Sequence, residues 1–268
     1  MIGAIIGDVV GSRFEFNNIK TKEFELIAEE SEYTDDTVLT IAVMDWLLHA
    51  ETKCDKTAVE YLQKWARKYP YAGYGGKFIH WKDKYSPTPY NSCGNGSAMR
   101  VSGVGWVSDN PDEVKLLSDT ITEVTHNHPE GEKGAEAVAM CIYLALHGAS
   151  KDEIKKRMVD EYYPEIASFD FDELVKTYDF YEICQKSCPQ AIYCFLISNS
   201  LEDAIRNCIA IGGDCDTTGA MAGAIAEAFY QKDKVSSFEN KFLDLLIDSA
   251  TKQLIKKFHK TTGSHKFA

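Results

Sequence analysis

Apolar positions recur along this chain with the 3.6-residue period of a buried helix face, and nowhere does a convincing alternation with period two mark a half-buried strand. Val38, Leu39, Ile41, Ala42, Met44, Trp46, Leu47 and Leu48 follow Thr34-Asp35-Asp36-Thr37 and predict a capped helix. Further amphipathic segments predict helices at 59–69, stopped by Pro70, then at 111–124, 132–147, 187–198 and 201–211. Another helix opens at Asp214-Cys215-Asp216-Thr217, with Ala220, Ala224 and Ala228 on one stripe, and a last one covers 238–258. Residues 23–27 are the one short strand candidate. The pattern makes the chain all-α, a single multi-helix domain over 1–268, with a peripheral helix pair and loop at about 150–185 and a frayed basic tail after 258 (Lys260, Lys266).

Three features interrupt the plain periodicity. Gly3, Gly7 and Gly11 recur every four residues, a ridge on which another backbone can approach closely, and Asp8 and Glu15 lie on one face if that helix continues. Residues 70–100 lack periodicity and are rich in Gly, Pro and Tyr, a length of connection that usually serves function. Within them, Gly94-Asn95-Gly96-Ser97 leads into a short helical run, a backbone nest able to aim N–H groups at phosphate or an ordinary turn. His126-Asn127-His128 before Pro129 has metal-ligand spacing but fits a polar helix–helix joint better.

Composition narrows the classes. The chain has 268 residues, 44% hydrophobic and 26% charged, ordinary for a globular protein and long enough to bury a large core without a staple. Its net charge of −12 argues against non-specific nucleic-acid binding. An anionic ligand must therefore be held locally, by backbone donors, single cationic side chains or bound metal. Eight scattered cysteines, no signal-peptide pattern and no apolar run of spanning length predict free thiols, no membrane partner and a cytoplasmic protein.

The chemistry concentrates in the two Asp/Thr clusters. Capping uses one side chain at a helix start, whereas each cluster packs two carboxylates with hydroxyls. Four converging carboxylates repel one another unless cations neutralise them. Thr34, Asp35, Asp36, Asp214, Asp216 and Thr217 offer only oxygen ligands, the set that hard divalent cations such as Mg²⁺ and Mn²⁺ prefer.

With these motifs in order, the chain resembles the ADP-ribosylglycohydrolase family: Gly-Asp-x-x-Gly-Ser-x-x-Glu at 7–15, Thr-Asp-Asp-Thr at 34–37, Gly-Asn-Gly-Ser-Ala-Met-Arg at 94–100, Thr-His at 125–126 and Gly-Gly-Asp-x-Asp-Thr at 212–217. The resemblance implies an all-α fold and two Mg²⁺ (or Mn²⁺) ions held by Thr34, Asp35, Asp36, Asp214, Asp216 and Thr217. It implies that Glu15, Asp36 and Asp214 are the candidate proton-transfer groups. It also implies an ADP-ribose groove bordered by Asp8, Gly73, Tyr74, Gly75, Gly76, Ser92, Cys93, Gly94, Asn95, Gly96 and His126, with backbone N–H groups of 91–97 on the diphosphate. The expected reaction is hydrolysis of the glycosidic bond between ADP-ribose and a protein or small-molecule acceptor, arginine first, by a monomer that releases ADP-ribose. Nucleic acid enters only as a modified substrate. A two-metal phosphoesterase and a catalytically silent ADP-ribose binder are the competing readings.

Overall fold

A computed structural model describes residues 1–230 and 248–263. Helix α13 (Cys215–Tyr230) runs through the centre and is buried continuously from Cys215 to Ala228. Such a helix, apolar or small on every side, must be surrounded by others. Its neighbours are α1 (Ile2–Gly11), α8 (Pro129–Leu146), α11 (Cys184–Leu196) and α12 (Leu201–Ile211). A second layer is formed by α2 (Asp35–His49) on α3 (Asp55–Lys68) and by α7 (Pro111–Glu123) on α8.

The glycine ridge explains how α1 meets α13. A Cβ added at Gly3 would lie 2.2 Å from the Gly223 carbonyl oxygen, and one at Gly7 2.0 Å from that of Gly219. The α1 ridge thus packs against a second small-residue ridge, Gly219 and Gly223, backbone on backbone. This contact brings Asp8 and the start of α13 into one neighbourhood.

Several expectations change. Residues 23–27 form no strand, and no strand occurs among the described residues. Arg206 Nη1 donates to the Lys22 and Phe24 carbonyls at 2.8 and 3.0 Å, so a side chain satisfies backbone that a sheet would otherwise pair. A seven-residue helix, α4 (Gly76–Lys82), lies inside the aperiodic stretch, with Phe78 and Trp81 inward; it is too short to show a period. Helix α11 begins at Cys184, three residues before the expected 187. The C-terminal helix covers Ser249–Gly263, so helix continues past 258, anchored by buried Ile255, Phe258 and Thr262. Residues 238–247 and Lys266 lie outside the described residues. The segment at 150–185 holds α9 (Lys151–Glu161), a 3₁₀ turn (Pro164–Ser168) and α10 (Phe171–Thr177), close to the expected helix pair.

Candidate active site at two helix N-termini

Both Asp/Thr clusters stand at helix starts. Thr34 is the N-cap of α2, its hydroxyl accepting from Asp36 N at 3.3 Å. Asp214 precedes α13 and accepts at its carbonyl from the Thr218 N–H and hydroxyl, at 3.0 and 2.8 Å. Capping occupies only part of the oxygen. Thr217 Oγ1 donates to Asp36 Oδ2 at 3.2 Å, tying the two helix starts together, while Asp36 Oδ1 is buried with no partner among the described residues. Glu15, Asp214 and Asp216 each present a carboxylate oxygen within 4.8 Å of the others.

The turn that aims Asp214 and Asp216 inward depends on Gly212 and Gly213, at φ +76° and +80°, where other residues are strained. Asn18 holds this turn from both sides, accepting from Gly213 N at 2.6 Å and donating to its carbonyl at 3.0 Å. Lys20 Nζ adds donors to the Ile211 and Tyr178 carbonyls at 2.5 and 2.6 Å.

Burial makes the cluster electrostatically uncomfortable. Desolvation raises Asp214 and Asp8 to about 6. It raises Glu15 to about 8, with Asp216, Glu182 and Asp8 adding repulsion. Asp35, Asp36 and Asp216 are pushed well above the usual carboxylate range by burial first and then by one another. The carboxylates of Glu15, Asp35, Asp36, Asp214 and Asp216, one of them with an orphaned oxygen, suit hard divalent cations, so the residues present fit the metal that the motifs imply.

Beside the cluster lies a groove of about 320 Å³, walled by Gly75–Phe78 on one side and by residues 90–96 with His126 on the other. Asn95 joins groove and cluster, its Nδ2 donating to Asp214 Oδ2 at 2.7 Å and to Ser187 Oγ at 3.1 Å. His126 is buried, with Nδ1 2.7 Å from Thr125 Oγ1 and Nε2 turned toward Gly94 and Gly96. Burial, then the charges of Arg100 and Lys77, hold it well below the usual histidine range, so it is neutral.

Of the residues singled out from sequence, Gly75, Gly76, Ser92, Cys93, Gly94, Asn95, Gly96 and His126 line the groove. Gly73 instead faces the acidic cluster, where an added Cβ would sit 3.8 Å from Asp35 Oδ1. Tyr74 turns away, donating to the Tyr69 carbonyl at 2.9 Å. Asp8 is fully buried beneath the cluster, accepting from Thr34 N and Thr37 N at 3.0 Å each and from the Thr34 hydroxyl at 2.8 Å. It has no exposed surface for a ligand and serves to fix the start of α2. The nest at 94–96 is partly spent within the protein, since Gly94 N donates to Ser92 Oγ at 3.1 Å and Asn95 N to the Glu182 carbonyl at 2.9 Å.

Sequence reasoning missed Glu182, Lys77, Arg100 and Asn18. Glu182 comes from the segment that looked peripheral, drawn to the groove rim by the bridge between Gly94 and Ile183. Lys77 brings a positive charge to the rim of an otherwise acidic protein. The Gly-Lys pair after Gly75 was a usable signal for Lys77, and Arg100 closes the motif at 94–100; nothing local marked Glu182 or Asn18.

Among the described residues the fold is all-helical, with an acidic cluster beside a groove. Comparison gives the family. The profile described as ADP-ribosylglycohydrolase matches residues 1–263, and the chain belongs to that family. It is 27% identical to ADP-ribosylhydrolase ARH3 of Gallus gallus, over 88% of this chain and 85% of that one. It is 26% identical to ADP-ribosylarginine hydrolase Tri1 of Pseudomonas putida, over 86% and 69%. A solved structure titled ADP-ribosylglycohydrolase-related protein complex shares the fold, with TM-score 0.74 and 20% identity over 97% of both chains.

Proposed function

We propose that this protein hydrolyses the glycosidic bond between C1″ of ADP-ribose and an acceptor, arginine being the first acceptor to test, with two divalent cations, Mg²⁺ or Mn²⁺, at the cluster. The observation that carries the reading is the Thr217–Asp36 contact, which joins two oxygen clusters from distant parts of the chain around an orphaned carboxylate oxygen. Thr34, Asp35, Asp36, Asp214, Asp216 and Thr217 would hold the cations, with Glu15 beside them. Bound there, the cations supply Lewis acidity, orientation of the ribose hydroxyls and activation of water.

The chain's own residues provide the rest. Loop 91–96 and Gly75–Gly76 cradle the nucleotide, and Lys77 offsets the diphosphate charge. Asn95 fixes Asp214 relative to the bound sugar. Asp36, Asp214 and Glu15 are the carboxylates placed to move protons: one accepts from the water that attacks C1″, and another protonates the leaving nitrogen or oxygen as its bond to C1″ breaks. Similarity to a hydrolase named for ADP-ribosylarginine supports arginine as acceptor.

Incubating the protein with ADP-ribosylated arginine, serine and small-molecule substrates, with Mg²⁺ or Mn²⁺ and with EDTA, tests this. Free ADP-ribose formed only with metal is expected. AMP as product would make the enzyme a phosphoesterase. Binding of ADP-ribose without turnover of any substrate would make it a silent relative.

A further inference from the structure

Arg100 is fully buried at the end of a short helix, 96–100, and forms no salt bridge with a carboxylate among the described residues. Its Nη2 donates to the Ile121 carbonyl at 3.0 Å and to Thr125 Oγ1 at 2.7 Å, while Nε and Nη1 have no partner among the described residues. An arginine desolvated in this way is costly, and an apolar side chain would fill the space more cheaply. What it touches suggests why it is there.

A threonine hydroxyl has one hydrogen and two lone pairs. Arg100 can only donate, so it takes a lone pair of Thr125 Oγ1. The hydroxyl hydrogen then has His126 Nδ1 at 2.7 Å and the Thr122 carbonyl at 3.3 Å within reach, with the Tyr90 hydroxyl beside them. That carbonyl already accepts from His126 N at 2.8 Å and Thr125 N at 3.1 Å, which uses both of its lone pairs. The 2.7 Å contact with His126 Nδ1 takes the hydrogen, which leaves the imidazole proton on Nε2. The Tyr90 ring, tilted against His126 with centroids 5.9 Å apart, helps to hold the ring plane.

Nε2 points into the groove. A Cβ at Gly96 would lie 3.3 Å from it and one at Gly94 3.5 Å, so both glycines keep that edge open. We propose that Arg100 is a positioning residue: acting through Thr125, it fixes His126 as the neutral Nε2–H tautomer and gives the groove a permanent donor aimed at an acceptor oxygen or nitrogen of a nucleotide. The proximity of the guanidinium charge also disfavours imidazolium. The ligand class rests on the proposed function; the tautomer does not, because it is read in the free protein.

Two-bond ¹H–¹⁵N correlation spectra of the ligand-free protein, with His126 assigned by difference from His126→Asn, report the tautomer directly. Protonated Nε2 and bare Nδ1 are expected, and the reverse pattern overturns the inference whatever the enzyme's activity. In Thr125→Val the tautomers should mix and the Kd for ADP-ribose rise by about tenfold, the effect of losing one aligned hydrogen bond. Thr125→Ser should restore both. A valine variant that keeps the wild-type tautomer and affinity refutes the relay, and if that variant does not fold, the wild-type spectrum alone decides.

Discussion

Thr217 on α13 and Asp36 on α2 share a hydrogen bond of 3.2 Å although 181 residues separate them. The bond shows that two helix starts meet. Helix N-termini favour negative charge, so the folding of α2 and α13 supports carboxylates there one helix at a time. Bringing both together overloads the site with like charge, which calls for a cation.

The apo-protein should lose stability as pH rises. Asp214, at about 6, and Glu15, at about 8, hold protons more tightly in the fold than an unfolded carboxylate of about 4 does. The folded state therefore binds more protons between those values, and unfolding free energy falls with rising pH across that window. Melting curves in EDTA should show Tm declining from about pH 5 to about pH 8, and excess Mg²⁺ or Mn²⁺ should flatten the decline. A Tm in EDTA that climbs over this range would mean the carboxylates ionise without strain.

Asp36→Asn should separate function from stability. Asparagine is neutral without taking up a proton, so at neutral pH Tm in EDTA should rise. With metal present, hydrolysis should fall by on the order of 100-fold or more if Asp36 is both a cation ligand and a proton carrier, as proposed. Paired thermal and steady-state measurements check both arms; unchanged turnover would remove Asp36 from the site.

Gly7→Ala should destabilise the whole fold. The new methyl would sit 2.0 Å from the Gly219 carbonyl oxygen, backbone that cannot rotate aside. Forcing α1 off α13 should cost about 1–3 kcal/mol or more, measurable by urea denaturation. Gly76→Ala meets nothing within 4 Å and should leave stability close to wild type.

Asn95→Ala cuts the bridge from groove to cluster. Asp214 would lose the amide donor at 2.7 Å that orients it. Metal affinity or turnover should drop about 10- to 100-fold, as when a partner that orients a ligand is removed. Metal titration followed by an activity assay distinguishes this from weaker ADP-ribose binding, and wild-type values in both would show that Asp214 needs no such support.

The sequence by itself determined the long helices, the glycine ridge on α1, the two oxygen-rich helix starts and the loop that walls the groove. Each is a local signal: a period, a cap or a motif whose chemistry lies in consecutive residues. Only the tertiary structure decided that Gly219 and Gly223 face the α1 ridge, and that Asp8 lies under α2 rather than in the groove. It likewise decided that Glu182 reaches the rim, that Asn18 clamps the Gly212–Gly213 turn, and that Arg100 stands behind His126 through Thr125. These roles come from partners far away in sequence. Asn18 meets Gly213 195 residues on, and nothing in an asparagine's neighbours predicts what will be packed against it. Capping residues announce themselves because a helix start needs them wherever it lies. Whether two such starts become one site depends on packing, here on glycines that let α1 and α13 touch backbone to backbone.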